Sequence, residues 1–261
     1  MKRLYTRSKS GVIPSPPDER DYPVAAILPA VTYPPSIRLD NQISIRDQGW
    51  WPTCVGKAGA GLMSAKFGAR LSSVYLYAKC KKIDGIPNEP GTYLRVALKV
   101  MQKQGCCLDS MLPYTLMADP LPKITGLHDV QAEQHKIKAY ARARGLDDIK
   151  RALVNGHLLM GCLLVDDAFC FYRGDDIVMG LPQGTVHGYH AIIICGYDDS
   201  KKALRIANSW GIKKWGDDGF GWISYDNLMN LQAFPEAWVT EIRTSAEEFY
   251  PDRIFRLIKK N

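Results

Sequence analysis

Hydrophobic side chains recur at two different spacings along the chain, and the spacing changes near its middle. In the first half, residues 71–85 and 92–105 carry apolar side chains three or four positions apart, namely Val74, Leu76, Tyr77 and Cys80, and Leu94, Ala97, Leu98 and Met101. This spacing puts one apolar stripe on each segment and predicts two amphipathic helices packed on one core. Gly105 marks the predicted end of the second helix.

The second half consists mainly of short apolar runs separated by turn residues, a pattern typical of strands. The runs occupy residues 135–143, 157–165, 190–199, 202–210, 219–225 and 236–242. One segment between them, residues 146–156, has a helical stripe formed by Leu146, Ile149, Leu153 and Val154. A helical half followed by a strand-rich half predicts an α+β fold of two lobes, and grooves between lobes are common ligand sites.

Proline is concentrated near the start of the chain, at Pro14, Pro16, Pro17, Pro23, Pro29, Pro34 and Pro35. This density excludes regular helix and predicts an extended arm, residues 1–36, before a core domain of residues 37–245. The helical lobe is expected at about 37–120 and the β-rich lobe at about 121–245, with a basic tail at 246–261. The arm is expected either to cover part of the groove or to brace the back of the fold.

Cysteine usage and charge exclude several classes of function. The seven cysteines are odd in number and form no Cys-x-x-Cys pair, so the sequence predicts reduced thiols, no zinc site and no full disulfide framework. Adjacent Cys106 and Cys107 are interpreted as small buried hydrophobes rather than a redox pair. The net charge of +7 lies partly in the two ends, without the interleaved aromatic residues of a nucleic-acid surface, so no nucleic-acid partner is expected.

Targeting signals are also not evident. No apolar run approaches the roughly 18 residues of a membrane span, and the N-terminus has a charged start without the apolar core of a signal peptide. The sequence therefore predicts a cytoplasmic protein without a membrane span, and leaves open its release by lysis or by a non-classical route. It also leaves the oligomeric state open.

Residues 46–67, RDQGWWPTCVGKAGAGLMSAKF, place Cys54 between two tryptophans and a run of small residues. A helix that begins near Cys54 would direct its unpaired N–H groups and the positive end of its dipole at the thiol, which lowers a thiol's pKa. Gly56, Gly59 and Gly61 are poor helix formers, so packing must hold this helix. On this stretch alone, Cys54 fits a buried structural thiol as well as it fits a nucleophile.

A thiol nucleophile needs a base, and the base needs an orienting group. His190 stands at the start of a buried strand, where a rigid sheet would fix its ring. Downstream, Asn208 ends another strand-like run and is followed by Trp210, whose ring could shield a hydrogen bond from water. The other histidines are expected at structural positions or, for the last of them, in a surface loop: His128, His135, His157 and His187.

These residues carry a resemblance to the papain-like cysteine peptidases, and in particular to their compact bacterial and phage-type members without a long helical propeptide. The matching pieces are DQGWWPTC, GTYLRVALKVMQKQG followed by LPY, HAIIICGYDD and NSWGIKKWGDDGFGWISY, which together span roughly residues 37–242. The order Cys, His, Asn agrees with the family. The intervals of 136 residues from Cys54 to His190 and 154 to Asn208 also agree.

The resemblance implies a papain-like two-lobe fold, with a nucleophile helix in the helical lobe, an antiparallel β-barrel-like second lobe and the active site in the cleft between them. Cys54 would be the nucleophile, His190 its base and Asn208 the group that orients the imidazole. Gln48 would add a side-chain amide to the backbone N–H of Cys54 in the oxyanion hole, where loss of one donor typically costs about 100-fold or more in rate. No metal or organic cofactor is implied.

The resemblance also suggests which residues bind substrate. Gly91 would pair through its backbone with an extended substrate, Trp210 would cover the bond between the histidine and the asparagine, and Trp51 and Tyr189 would line the site. The positions next to the nucleophile depart from the family pattern, in which a disulfide-forming cysteine, glycine and a small residue precede it and an aromatic residue follows. The chain instead has Trp51, Pro52, Thr53 and Val55.

The function expected from these residues is that of a cysteine endopeptidase acting on polypeptides through a thioester acyl-enzyme. Its own arm could lie in the cleft. Two alternatives remain: a silent binding or assembly component on the same fold, and a thiol acyl transferase or peptidoglycan-stem hydrolase. Competent residues at all four chemical positions favour the peptidase over the silent scaffold, and an Asn in an Asn-Ser-Trp-Gly context favours it over the other thiol chemistries.

Overall fold

A computed structural model describes residues 10–174 and 176–242 of the chain. The described part has two hydrophobic cores, one beneath the helices of the first half and one beneath the sheet of the second. Its helices are α1 (Cys54–Phe67), α2 (Ser73–Lys81), α3 (Leu94–Lys103), α4 (Gly126–Ala132), α5 (Leu146–Val154), α6 (Asp167–Cys170) and α7 (Asp226–Met229). The predicted α+β class is confirmed.

Eight strands form one sheet in the described residues: β1 (Ser36–Arg38), β2 (Ala139–Ala143), β3 (Leu159–Asp166), β4 (Val178–Met179), β5 (Val186–Asp198), β6 (Ala203–Ala207), β7 (Phe220–Ser224) and β8 (Glu236–Glu241). The strand order is β2-β8-β3-β5-β6-β7-β4, and β1 pairs with β5. All pairs are antiparallel except β4 with β7. Because β2 and β4 stand at opposite edges, the barrel-like lobe is an open sheet.

Helix α1 lies between the two lobes, where it packs on α2 and on strand β5. Its small residues permit this, as predicted. An added Cβ at Gly56 would lie 2.6 Å from the carbonyl oxygen of Ser73 on α2, and one at Gly61 would lie 3.0 Å from Ile193 on β5. The helix that begins at the predicted nucleophile is therefore held by close contact on both sides rather than by intrinsic helix propensity.

The proline-rich segment is extended over two different surfaces. Residues 10–15 run along the groove between the lobes, where Val12 bridges to Thr92 on one side and to Tyr189 on the other. Farther along, Val24 and Leu28 are buried in the core of the β-rich lobe. The segment thus includes both kinds of contact that the sequence left as alternatives. The basic tail, residues 246–261, lies outside the described residues.

Most elements follow the hydrophobic pattern, and the helices predicted in residues 71–85, 92–105 and 146–156 are confirmed. His187 differs from its prediction as a loop residue, because it lies at the exposed start of β5, where its Nε2 is 2.6 Å from Oδ1 of Asp167. All seven cysteines are free thiols. No described helix combines the length and the apolar character that crossing a membrane requires.

Candidate active site

Cys54 is the first residue of α1 and is fully buried. Burial raises the pKa of its thiol to about 11, because a thiolate without solvent is unfavourable. The backbone N–H groups of Ala191, Val55 and Gly11 face the sulfur and act in the opposite direction, favouring the thiolate. One of these groups, that of Gly11, belongs to the proline-rich segment, so the same segment that excludes water from the thiol also contacts it.

His190 lies on β5, directly before the residue whose N–H faces the thiol. Its Nε2 is 2.7 Å from Oδ1 of Asn208. This oxygen also accepts the backbone N–H of Ser209 at 2.7 Å, so it acts only as an acceptor and His190 Nε2 must carry the proton. In a neutral imidazole the other nitrogen, Nδ1, is then the basic one. The asparagine therefore selects the tautomer that a proton acceptor for a thiol requires.

Aromatic rings surround the imidazole. The ring centroids of Trp210 and His190 are 5.1 Å apart, and those of Phe169 and His190 are 5.9 Å apart in an edge-to-face arrangement. Trp210 and Phe169 also meet edge to face at 5.3 Å. These rings exclude water from the bond between His190 and Asn208, which strengthens it electrostatically. Phe169 is a residue that sequence reasoning missed, since no motif marks it.

Gln48 is also fully buried, and its side chain is held at both ends. Its Oε1 accepts the hydroxyl of Ser209 at 2.7 Å, and its Nε2 donates to the carbonyl of Trp51 at 2.8 Å. Its backbone N–H donates to the carbonyl of Ser209 at 2.9 Å. A single residue next to Asn208 thus fixes both the backbone and the side chain of Gln48, and the Asn-Ser-Trp-Gly motif was the signal that could have identified it.

The predicted substrate-binding residues lie on both sides of the groove. The carbonyl of Tyr189 accepts the N–H groups of Gly11 and Val12, each at 3.2 Å. On the opposite side, Thr92 rather than Gly91 makes the backbone pair, donating to the carbonyl of Gly11 at 3.1 Å. Gly91 has φ +83°, and a Cβ there would lie 2.5 Å from that same carbonyl, so it provides space for the approaching chain.

The two tryptophans before Cys54 differ in their surroundings. Trp50 is 65% exposed, whereas Trp51 is partly buried against the helical core. Trp51 therefore belongs to the wall near Cys54, and Trp50 faces outward from it. No group of three or more histidine, cysteine, aspartate or glutamate side chains in the described part of the chain could hold a metal ion. The chemistry this arrangement provides is that of a thiol, an oriented imidazole and amide donors.

Comparisons with known proteins place this fold among solved structures. The structure is similar to xylellain, a cysteine protease from Xylella fastidiosa, with a TM-score of 0.78 and 26% identity over 93% of this chain and 99% of that one. The fold is also that of procathepsin B S9 from Trypanosoma congolense, with a TM-score of 0.72 and 17% identity over 92% and 88% of the two chains.

A sequence relative extends the similarity to a virus. An uncharacterized peptidase C1-like protein of Acanthamoeba polyphaga mimivirus is 25% identical over 191 residues, which cover 65% of this chain. The match spans only 58% of the length of that viral protein. The model of the papain family cysteine proteases matches residues 53–236, most of the chain. The chain therefore belongs to the papain family of cysteine proteases.

Proposed function

We propose that the chain is a cysteine endopeptidase that hydrolyses polypeptides through Cys54, His190 and Asn208. The observation that carries the proposal is the 2.7 Å bond that fixes the protonated Nε2 of His190 on Asn208, next to the strand residue whose N–H faces the Cys54 sulfur. This arrangement leaves Nδ1 of the imidazole as the ring nitrogen that can accept a proton. Membership of the papain family supports the same assignment.

The proposed reaction has two steps. The Cys54 sulfur, having given its proton to His190, attacks the peptide carbonyl carbon, and negative charge develops on the carbonyl oxygen. The N–H of Cys54 and the amide of Gln48 stabilise that oxygen. His190 protonates the leaving amine and the C–N bond breaks. The acyl group then remains on the Cys54 sulfur as a thioester. His190 then removes a proton from water, the hydroxide attacks the thioester, and the second product leaves as a carboxylic acid while the thiol is restored.

Labelling with an epoxysuccinyl thiol inhibitor tests this proposal. One adduct by intact mass is expected on the folded chain, together with loss of peptide hydrolysis, and no adduct is expected on Cys54→Ala. Cys170→Ala is the matched control, because Cys170 is the one cysteine that is not fully buried; it should label as the unchanged chain does. Labelling of Cys54 without hydrolysis of any peptide would contradict the peptidase and favour a silent scaffold or another thiol chemistry.

We also propose that residues 10–15 keep the cleft closed until they are displaced. Their backbone pairs with Thr92 on one wall and Tyr189 on the other, and Ser15 N–H donates to the buried carboxylate of Glu236 at 2.8 Å. An ion pair of Asp21 with Arg95 at 2.5 Å anchors the chain just beyond the groove. An extended substrate would need the same backbone groups of the two walls, so segment and substrate compete.

Gly11 offers a sharp test of the closed cleft, because a Cβ there would lie 2.3 Å from the carbonyl oxygen of Pro52. Gly11→Ala should displace the segment at a cost of about 1–3 kcal/mol, which corresponds to roughly 10–100-fold more open molecules. Peptide turnover, and alkylation of Cys54 at pH 7, should rise together. Gly180→Ala is the control, since that position faces open space. Equal turnover in both variants would contradict inhibition by the segment.

A further inference from the structure

One tyrosine outside the proposed triad connects the two positions that carry the oxyanion donors. Tyr114, which begins a short 3-10 turn after Pro113, donates its hydroxyl hydrogen to the carbonyl oxygen of Gln48 at 2.7 Å. The same hydroxyl oxygen lies 2.7 Å from Oγ1 of Thr53. Because a hydroxyl has one hydrogen and that of Tyr114 is given to the carbonyl, the hydroxyl of Thr53 is the donor in the second bond.

These two bonds join segments that must be in register for oxyanion binding. Gln48 carries the proposed side-chain donor, and Thr53 directly precedes Cys54, whose backbone N–H is the other donor. Thr53 is the N-cap residue of α1, yet its side chain makes no capping bond to its own helix. Its hydroxyl is given to Tyr114 instead. A third residue, more than 60 positions away in sequence, is thus bonded to both segments.

The ring of Tyr114 is itself held in place by a buried lysine. Nζ of Lys57, one turn after Cys54 on α1, lies 3.0 Å from the ring centroid, and this lysine is only 3% exposed. Burial raises the pKa of the Tyr114 hydroxyl above its usual range, which keeps it protonated and able to donate at neutral pH. The contact with Lys57 restricts the ring, and therefore the hydroxyl, to one position.

We propose, building on the peptidase function above, that Tyr114 is a positioning residue that sets the geometry of the oxyanion hole by holding Gln48 against the start of α1. It does not touch substrate. Its effect should appear only in steps that place negative charge on a carbonyl oxygen, because only those steps use the two donors. Attack of the thiolate on an alkylating agent, which expels iodide and forms no oxyanion, should not depend on it.

The test compares peptide hydrolysis with alkylation by iodoacetamide in the full chain. In Tyr114→Phe, kcat should fall about tenfold, as expected for loss of a buried hydrogen bond that acts in the transition state, while KM changes less than about twofold. The alkylation rate of Cys54 should stay unchanged. Tyr197→Phe is the control, since Tyr197 donates to the carbonyl of Pro34 on the far side of the sheet; it should leave kcat unchanged.

A double-mutant cycle distinguishes positioning from general structural support. Gln48→Ala should lower kcat about 100-fold or more, and adding Tyr114→Phe to it should cause little further loss, because the hydroxyl acts through Gln48. Thr53→Val, which keeps the shape of the side chain, should lower kcat in the same direction by a smaller factor. Losses that multiply in the double variant, or an unchanged kcat in Tyr114→Phe, would overturn the role of Tyr114 alone. Absence of hydrolysis both in the unchanged chain and in Gly11→Ala, in which residues 10–15 are expected to leave the cleft, would overturn the peptidase proposal with it.

Discussion

The two walls of the cleft hold Cys54 and His190, the proposed nucleophile and base, by different physical means. On one wall Cys54 begins a helix whose small residues touch neighbouring elements directly, with a Cβ at Gly56 placed 2.6 Å from a backbone carbonyl. On the other wall His190 stands on a strand and is oriented by Asn208 and by the rings of Trp210 and Phe169. Close approach of backbone at Gly56 holds the helix of the proposed nucleophile, and side-chain contacts hold the proposed base.

This difference predicts different responses to substitution. A wall made of backbone-to-backbone contact has no space to adjust, so an added atom should lower the stability of the whole fold. A wall made of a hydrogen bond and ring packing should tolerate substitution better in stability and show its cost in reaction rate. If substitutions on the Cys54 wall and substitutions on the His190 wall lower stability and activity in the same proportion, this difference between the walls is refuted.

The largest effect is expected for Gly56→Ala, on the wall that contains Cys54. The new methyl group would lie 2.6 Å from the Ser73 carbonyl and 2.9 Å from Cβ of Tyr77, and neither neighbour is the flexible end of a side chain. We expect the free energy of unfolding to fall by about 3 kcal/mol, measured by urea denaturation. Gly126→Ala, at an open helical position, is the control and should change stability little. Equal stability of the two variants would refute close packing as the constraint.

Asn208→Ala changes the wall that contains His190 and should mainly lower the rate of peptide hydrolysis. Loss of the buried hydrogen bond to Nε2 of His190 should raise the activation free energy by about 1–3 kcal/mol, because the imidazole is no longer held in position. This corresponds to a decrease of roughly 10–100-fold in kcat/KM. Asn227→Ala is the matched control, because Asn227 is a buried asparagine that bonds to carbonyls on β4 and β7 away from the cleft. It should lose stability without losing specific activity. The reverse pattern would show that Asn208 supports the fold rather than the imidazole.

Much of this contrast was predictable from the sequence. Runs of small residues after Cys54 indicated a close-packed helix, and His190 and Asn208 were recognisable because each adjoins a continuous apolar strand. The side-chain environment was less accessible. Phe169 reaches the imidazole from a four-residue helix that carries no motif, and Thr92, which no motif marks either, pairs with Gly11 of the N-terminal segment across the groove. Such contacts join distant segments, and no local pattern encodes them.

Lys57, on the same helix as Cys54, makes the stability of the protein depend on pH. Burial, reinforced by the nearby charge of Arg46, lowers the pKa of this lysine to about 7, whereas an unfolded chain keeps it near the ordinary 10.5. Between these values the unfolded chain binds more protons, so the stability of the protein rises with pH through this window and is independent of this lysine's titration below about pH 7. The face of the Tyr114 ring favours the protonated form and therefore moves the lower end of this window to higher pH.

Lys57→Met keeps the packing of the side chain and removes the titration. Relative to this variant, the unchanged chain should gain about 1 kcal/mol of stability between pH 7 and pH 8, measured by urea denaturation at each pH. The exposed Lys82 provides the control, since Lys82→Met should run parallel to the unchanged chain at every pH. A lysine variant whose stability difference does not vary across this window would show that Lys57 is protonated in the folded protein throughout.

The smallest effect is expected from the ring that covers the base. Trp210→Phe should admit water to the bond between His190 and Asn208, since the smaller ring covers less of it, and a wetter bond is electrostatically weaker. We expect kcat/KM to fall about threefold, equivalent to about 0.6 kcal/mol. Trp222→Phe removes the same volume from a buried tryptophan of β7 and should leave kcat/KM unchanged. If both variants lower kcat/KM equally, the loss comes from the stability of the sheet as a whole, and the two walls of the cleft are less different than their contacts indicate.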